Sequence, residues 1–207
     1  MTPGVAALVR LSAALGSGDE AALAEAMALA AREAERAQAE EVLLQSYLFL
    51  GYPAALRALG AWRERVGEPA ARSEPDDHAL WRERGERVCE QVYGGAYEPL
   101  RANVARLHPD LERWMLEEGY GKVLGRPGLD LRERELCIVA LLAGLAAPHQ
   151  LHSHLRGALN AWAVPLQVEQ ALELAGAVLP PGRMEAARAL WEAVRARWQE
   201  RQGGVAG

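Results

Sequence analysis

An all-α fold is predicted by three features of the chain. Apolar residues recur at three- and four-residue spacing almost throughout, no stretch alternates as a half-buried strand would, and helix start and stop signals recur along the sequence. Of the 207 residues, 50% are hydrophobic and 25% are charged, which is enough apolar material for one large core or two small ones.

The elements follow in order. Gly16-Ser17-Gly18 ends a first helix, and Ser17 with Glu20 three residues later has the form of a capping box that opens a second. Asp130 with Glu133 has the same form. Pro53, Pro109, Pro148, Pro165 and Pro181 each stand where a helix can start, because the first helical turn leaves its N–H groups unused. Residues 67–78 are polar and hold Pro69 and Pro75, the composition of a connector. This divides the chain into residues 1–66, a connector at 67–78, and residues 79–207.

The two parts look related. An offset of 130 lays residues 8–15 on residues 138–145, so that Val9, Leu11, Ala13 and Leu15 meet Val139, Leu141, Ala143 and Leu145. The same offset puts Ala24 on His154, and after a four-residue difference in a loop Val42 meets Val168 at an offset of 126. Internal duplication of a helical hairpin unit is the simplest account; chance alignment of alanine- and leucine-rich helices is the alternative.

Composition also excludes function classes. A net charge of −5, with arginine and glutamate mixed along the helices, supplies no field for a nucleic acid partner. Residues 1–16 lack the charged start and cleavage site of a secretory signal, so a cytoplasmic location is expected. The longest apolar run, residues 136–148, is shorter than the roughly 20 residues of a bilayer span, and no membrane partner is expected. Cys89 and Cys137 have no thiol at short spacing, and both read as buried small apolar residues.

The informative stretch is residues 120–142 followed by 148–160. It holds Arg134-Glu135-Leu136 at the head of an apolar helix, a short break, and His154-Leu155-Arg156-Gly157-Ala158-Leu159-Asn160 on the next helix. These residues resemble the carboxymuconolactone decarboxylase and alkyl hydroperoxidase D superfamily. The resemblance extends upstream through residues 92–95 and 107–111, and in the first part through residues 41–48 and Gly51-Tyr52-Pro53. It implies a multihelical alkyl hydroperoxidase D-like fold. It also implies a ring-like homo-oligomer, a trimer of two-copy chains ahead of a dimer or hexamer.

In the hydroperoxidase branch, a glutamate, a Cys-x-x-Cys pair and a histidine form a proton relay and a disulfide centre. By resemblance the glutamate is Glu135 and the histidine is His154, while the cysteine positions hold Ala147 and Gln150. A peroxide-reducing disulfide needs an attacking thiolate and a resolving thiol, so the peroxidase alternative would rest on lone Cys137 or Cys89. Cys137 lies about 200° around the helix from Glu135 and is expected to point away from it.

The candidate catalytic pair is therefore Glu135 and His154, since a carboxylate can orient an imidazole for proton transfer. Arg134 and Arg156 are candidates to hold a substrate carboxylate, with surface ion pairing as their alternative role. The expected partner is a small carboxylated or lactone substrate, handled without a cofactor. His149, His152 and His154 do not make a metal set: steps of three and five residues turn them by about 300° and 140° on one helix. A non-catalytic oligomeric binding protein is a third reading. The six tryptophans, notably Trp114, Trp162, Trp191 and Trp198, suit large contacts between helices or subunits.

Overall fold

A computed structural model of the chain describes residues 1–70 and 73–203. Residues 71 and 72 of the predicted connector lie outside the described residues. The described residues are helical with no strand, in the order α1 (Pro3–Ser17), α2 (Glu20–Glu33), α3 (Arg36–Gln45), α4 (Tyr47–Val66), α5 (His78–Tyr93), α6 (Tyr97–Leu107), α7 (Pro109–Trp114), a π-helical segment (Met115–Leu124), α8 (Leu131–Leu145), α9 (Pro148–Asn160), α10 (Pro165–Gly176) and α11 (Pro181–Gly203). A 3₁₀ turn, Gly94–Ala96, joins α5 to α6.

Helix ends follow local chemistry, with one correction. Ser17 does not cap α2. It is the last residue of α1, where its hydroxyl donates to the Ala14 carbonyl. Gly18 then adopts a left-handed conformation with φ 72°, which carries Asp19 into the capping position, where its carboxylate accepts from the Ala21 and Ala22 N–H groups at 2.9 and 3.0 Å. Asp130 does cap α8: its carboxylate accepts from Arg132 N–H at 2.9 Å. Pro109, Pro148, Pro165 and Pro181 open α7, α9, α10 and α11. Pro53 lies inside α4 but just past a break at Gly51, whose φ of 77° no helical residue adopts, so it too follows a helix restart.

The core is built on α8, in which every residue from 134 to 144 is buried. Its partner is α1, and the two cross closely enough that a Cβ on Gly16 would fall on the Leu141 carbonyl oxygen and one on Gly144 would come within 2.7 Å of the Gly16 carbonyl carbon. Glycine is required there for approach. A second such contact joins α5 to the π-helical segment, where Gly85 meets the Leu116 carbonyl and Gly121 the Trp81 carbonyl. Side chains from both parts of the chain, among them Leu8, Leu11, Val42, Leu43, Trp62, Leu136, Ile138, Leu155 and Trp191, form one hydrophobic cluster. Each fully buried aliphatic side chain contributes about 1.5–3 kcal/mol to folding.

α1 to α4 and α8 to α11 run in the same order, with lengths of 15, 14, 10 and 20 residues against 15, 13, 12 and 23. This correspondence supports a duplicated unit but shifts its register. α8 starts 128 residues after α1, and α9 starts 128 residues after α2. Ala26 rather than Ala24 therefore stands at the place of His154, and Ala7 at the place of Glu135. Alanine- and leucine-rich helices match each other at several registers, so side-chain similarity and helix starts give offsets that differ by two residues.

The tryptophans divide. Trp62, Trp81 and Trp191 are buried, whereas Trp114 and Trp162 are exposed. No single helix among the described residues is long and apolar enough to cross a membrane, and α3 and α4, which pass that test only together, meet at a bend of 115°.

Candidate active site

Glu135 sits one turn into α8 and is fully buried; His154 sits in the middle of α9 and is 5% exposed. The break at residues 146–147 folds α9 back along α8, with Ala146 in a left-handed conformation (φ 56°). This brings His154 Nδ1 to 2.9 Å from Glu135 Oε2. A carboxylate can only accept, so the hydrogen lies on Nδ1, and Nε2 is the ring nitrogen left for proton exchange. Glu135 Oε1 is buried and has no hydrogen-bond partner among the described residues. An unpaired carboxylate oxygen in the interior is costly unless it serves a site.

The surroundings of the pair include residues that sequence reasoning missed. Phe49, from the start of α4, packs edge-on against the imidazole with ring centroids 5.7 Å apart. Tyr93 and Tyr120 make a T-shaped contact with ring centroids 6.0 Å apart. Burial chiefly, and for each phenol the nearby Glu135 charge among other contributions, raises both above the ordinary tyrosine range. Gly157 lies one turn beyond His154, and a Cβ there would come within 2.7 Å of Glu135 Oε2 and 2.8 Å of Val92 Cγ1. The small-residue pattern after His154 was the available signal for Gly157. The aromatic residues had none, because they reach the site from distant segments.

Arg134 has a different role from the one expected. It is fully buried, and its guanidinium donates to Glu41 at 2.8 Å, Gln45 at 3.2 Å and the Arg126 carbonyl at 3.2 Å. Arg126 also reaches the same Glu41 oxygen at 3.3 Å. Burial lowers the Arg134 pKa and the Glu41 carboxylate opposes that shift, so the pair is a buried clamp between α3, the 125–129 loop and α8. Its hydrogen bonds run to these groups, away from Glu135 and His154. The surface ion-pair alternative is corrected as well, since this pair is interior. Arg156, two residues beyond His154, is half-buried and faces α11 in a cleft with His152, Val194, Arg197 and Arg201.

Both cysteines are fully buried free thiols. Burial pushes Cys89 up to about 12, with smaller effects of Arg101, which lowers it, and of Glu112 and Glu135, which raise it. Cys137 is raised further, again by burial, and the charges acting on it are those of Glu133 and Arg134 rather than Glu135. Both thiols are expected to resist iodoacetamide at pH 8 in the native protein and to react after denaturation. Mass spectrometry checks this, and rapid native labelling of either would contradict their burial. Above Ala147, where the resemblance places the first cysteine, lies an apolar cavity of about 300 Å³ lined by Leu142, Ala146, Leu151, Arg183 and Leu190.

His149 is exposed, His152 half-buried and His154 buried. Among the described residues no three His, Cys, Asp or Glu side chains converge as a metal ligand set. The cleft of about 670 Å³ between α1, α2 and α4 holds none of the predicted site residues.

Residues 109–196, which include Glu135 and His154, match the model of the carboxymuconolactone decarboxylase family. Peroxisomal protein 2 of Schizosaccharomyces pombe is 29% identical over 143 residues, covering 65% of this chain and 65% of the relative. A nitrosuccinic acid decarboxylase of Metarhizium robertsii is 31% identical over 91 residues, covering 44% of this chain and 64% of the relative. In both cases the chain spans slightly under two thirds of the relative's length. With its all-helical fold and a family match across the segment that holds the buried pair, the chain is similar over residues 109–196 to the carboxymuconolactone decarboxylase family.

Proposed function

We propose that this chain is a decarboxylase of a small carboxylic acid, using His154 as the proton-transferring group and Glu135 to hold it. The observation that carries this reading is the 2.9 Å contact between His154 Nδ1 and Glu135 Oε2, buried between α8 and α9. The nitrosuccinic acid decarboxylase among its relatives supports the reaction class. In the proposed reaction the bond from the substrate carbon to its carboxylate breaks and carbon dioxide leaves. The electron pair passes into an adjacent acceptor such as a nitro or carbonyl group. His154, protonated, delivers the Nε2 proton to that carbon and is reprotonated from solvent. Glu135 fixes the ring and balances its charge while the proton moves.

The peroxidase alternative draws less support. Its thiols are buried, held in the protonated form, and lack a resolving partner. A homo-oligomer is also proposed, with exposed Trp162, Val164 and Leu166 at the α9–α10 turn as apolar surface available to a second copy.

Carbon dioxide release from nitrosuccinate and a panel of small lactone and β-keto acids tests the lyase reading. Wild-type protein is expected to turn over at least one of them, and His154→Ala to lose about 100-fold or more. Equal turnover by His154→Ala, or no release from any acid, would reject it.

A further inference from the structure

We infer that the cleft between α9 and α11 is a binding site for a small anion carrying two or more negative charges. His152 and Arg156 from α9 and Val194, Arg197 and Arg201 from α11 line a space of about 290 Å³, with Glu200 as its one carboxylate. Relative to His154, Arg156 lies about 200° and His152 about 160° around α9. The cleft is thus on the other face of that helix from the Glu135 contact, and it stands whether or not the proposed decarboxylation is right.

Three guanidinium groups in one cleft are unusual for a chain of net charge −5. Several of its other arginines are neutralised: Arg84 by Glu74, Arg101 by Glu112, Arg134 by Glu41 and Arg195 by Glu169. No carboxylate among the described residues lies in ion-pair contact with Arg156 or Arg197, although Arg156 is half-buried. Gathering like charges raises the folded state's energy unless a counter-charge binds. Arg201 is steadied over the Trp198 ring at 5.6 Å, which orients its fork at little entropic cost.

His152 fits the same picture. Burial first, and then Arg156, Arg197 and His149, disfavour its charged form. The positive charge of the cleft therefore comes from guanidiniums that stay ionised at any physiological pH, and the imidazole can accept or donate a hydrogen bond as a neutral group. The small volume and the chain's net negative charge fit a compact ligand rather than a polyelectrolyte. Guanidinium forks suit phosphate and carboxylate oxygens alike.

Calorimetric titration of the full chain with inorganic pyrophosphate and with citrate, at constant ionic strength, tests the site. Saturable one-to-one binding of either is expected, pyrophosphate alone pointing to a phosphorylated ligand and citrate alone to a polycarboxylate. Arg197→Ala, at an exposed position that folding does not need, should weaken it about 10-fold or more. Arg156→Ala should do the same, and Glu200→Gln should tighten it. Binding unchanged in Arg197→Ala, or no saturable binding of either probe, would overturn the assignment. Arg57→Ala, on exposed α4 surface away from the cleft, should leave affinity unchanged; equal weakening there would also overturn it.

Discussion

Replacing Arg134 with alanine is expected to destabilise the folded chain by about 3–5 kcal/mol, because it leaves the Glu41 carboxylate buried without its main counter-charge. Glu41 is 3% exposed and shares one oxygen between Arg134 at 2.8 Å and Arg126 at 3.3 Å. Arg126 therefore compensates only in part. The same change frees Gln45 and the Arg126 carbonyl, so it removes interactions from α3 and from the loop ahead of α8 together. Urea unfolding of the single variants and of Glu41→Ala/Arg134→Ala measures the coupling. The double variant should be less damaged than the sum of its parts, since removing both charges leaves no unpaired ion. Glu41→Leu/Arg134→Met should recover still more by restoring packing volume. A single-variant loss below about 1 kcal/mol would place the pair among weak surface bridges and contradict its burial.

Gly157→Ala is expected to abolish most activity while leaving the chain folded. The added methyl carbon would stand 2.7 Å from Glu135 Oε2 and 2.8 Å from Val92 Cγ1, both well inside contact distance. The tip of the Glu135 side chain moves more easily than the α5 backbone behind Val92, so relief comes mainly by displacing the carboxylate from His154 Nδ1. Overpacking of this kind costs about 1–3 kcal/mol in stability. A displacement near 1 Å in a catalytic group costs about 100-fold in rate. Turnover should therefore fall far more than stability, with kcat affected more than KM because the methyl displaces the carboxylate that holds the proton-transferring imidazole. A variant with unchanged turnover on a substrate of the wild type would show that the Glu135 contact does not position His154. Gly157→Ser serves as a second variant, with the same added carbon and the same expected direction.

Glu135 and His154 were legible as candidates through the family resemblance, which is carried by local patterns: a glutamate at the head of an apolar helix, and a histidine followed by small residues. Helix starts were legible for the same reason, since proline, aspartate and glycine act within one turn of themselves. The Ser17 error shows how narrow that reach is. A single left-handed residue, Gly18, moved the cap by two positions. The roles of the two arginines were not legible. Arg134 and Arg156 are similar in type and neighbourhood, yet one is enclosed by Glu41 from α3 and the other opens toward α11.

By itself the sequence determined an all-helical chain and most of its helix ends, because periodicity and capping are properties of consecutive residues; Glu135 and His154 are a candidate pair through the family resemblance. Only the tertiary structure decided what surrounds that pair, which arginine became an interior clamp, and that the cysteines are sealed from solvent. Those outcomes depend on contacts between residues far apart in the chain, such as Glu41 with Arg134 and Phe49 with His154. Such contacts follow from how the helices pack, to which a single helix's spacing is blind.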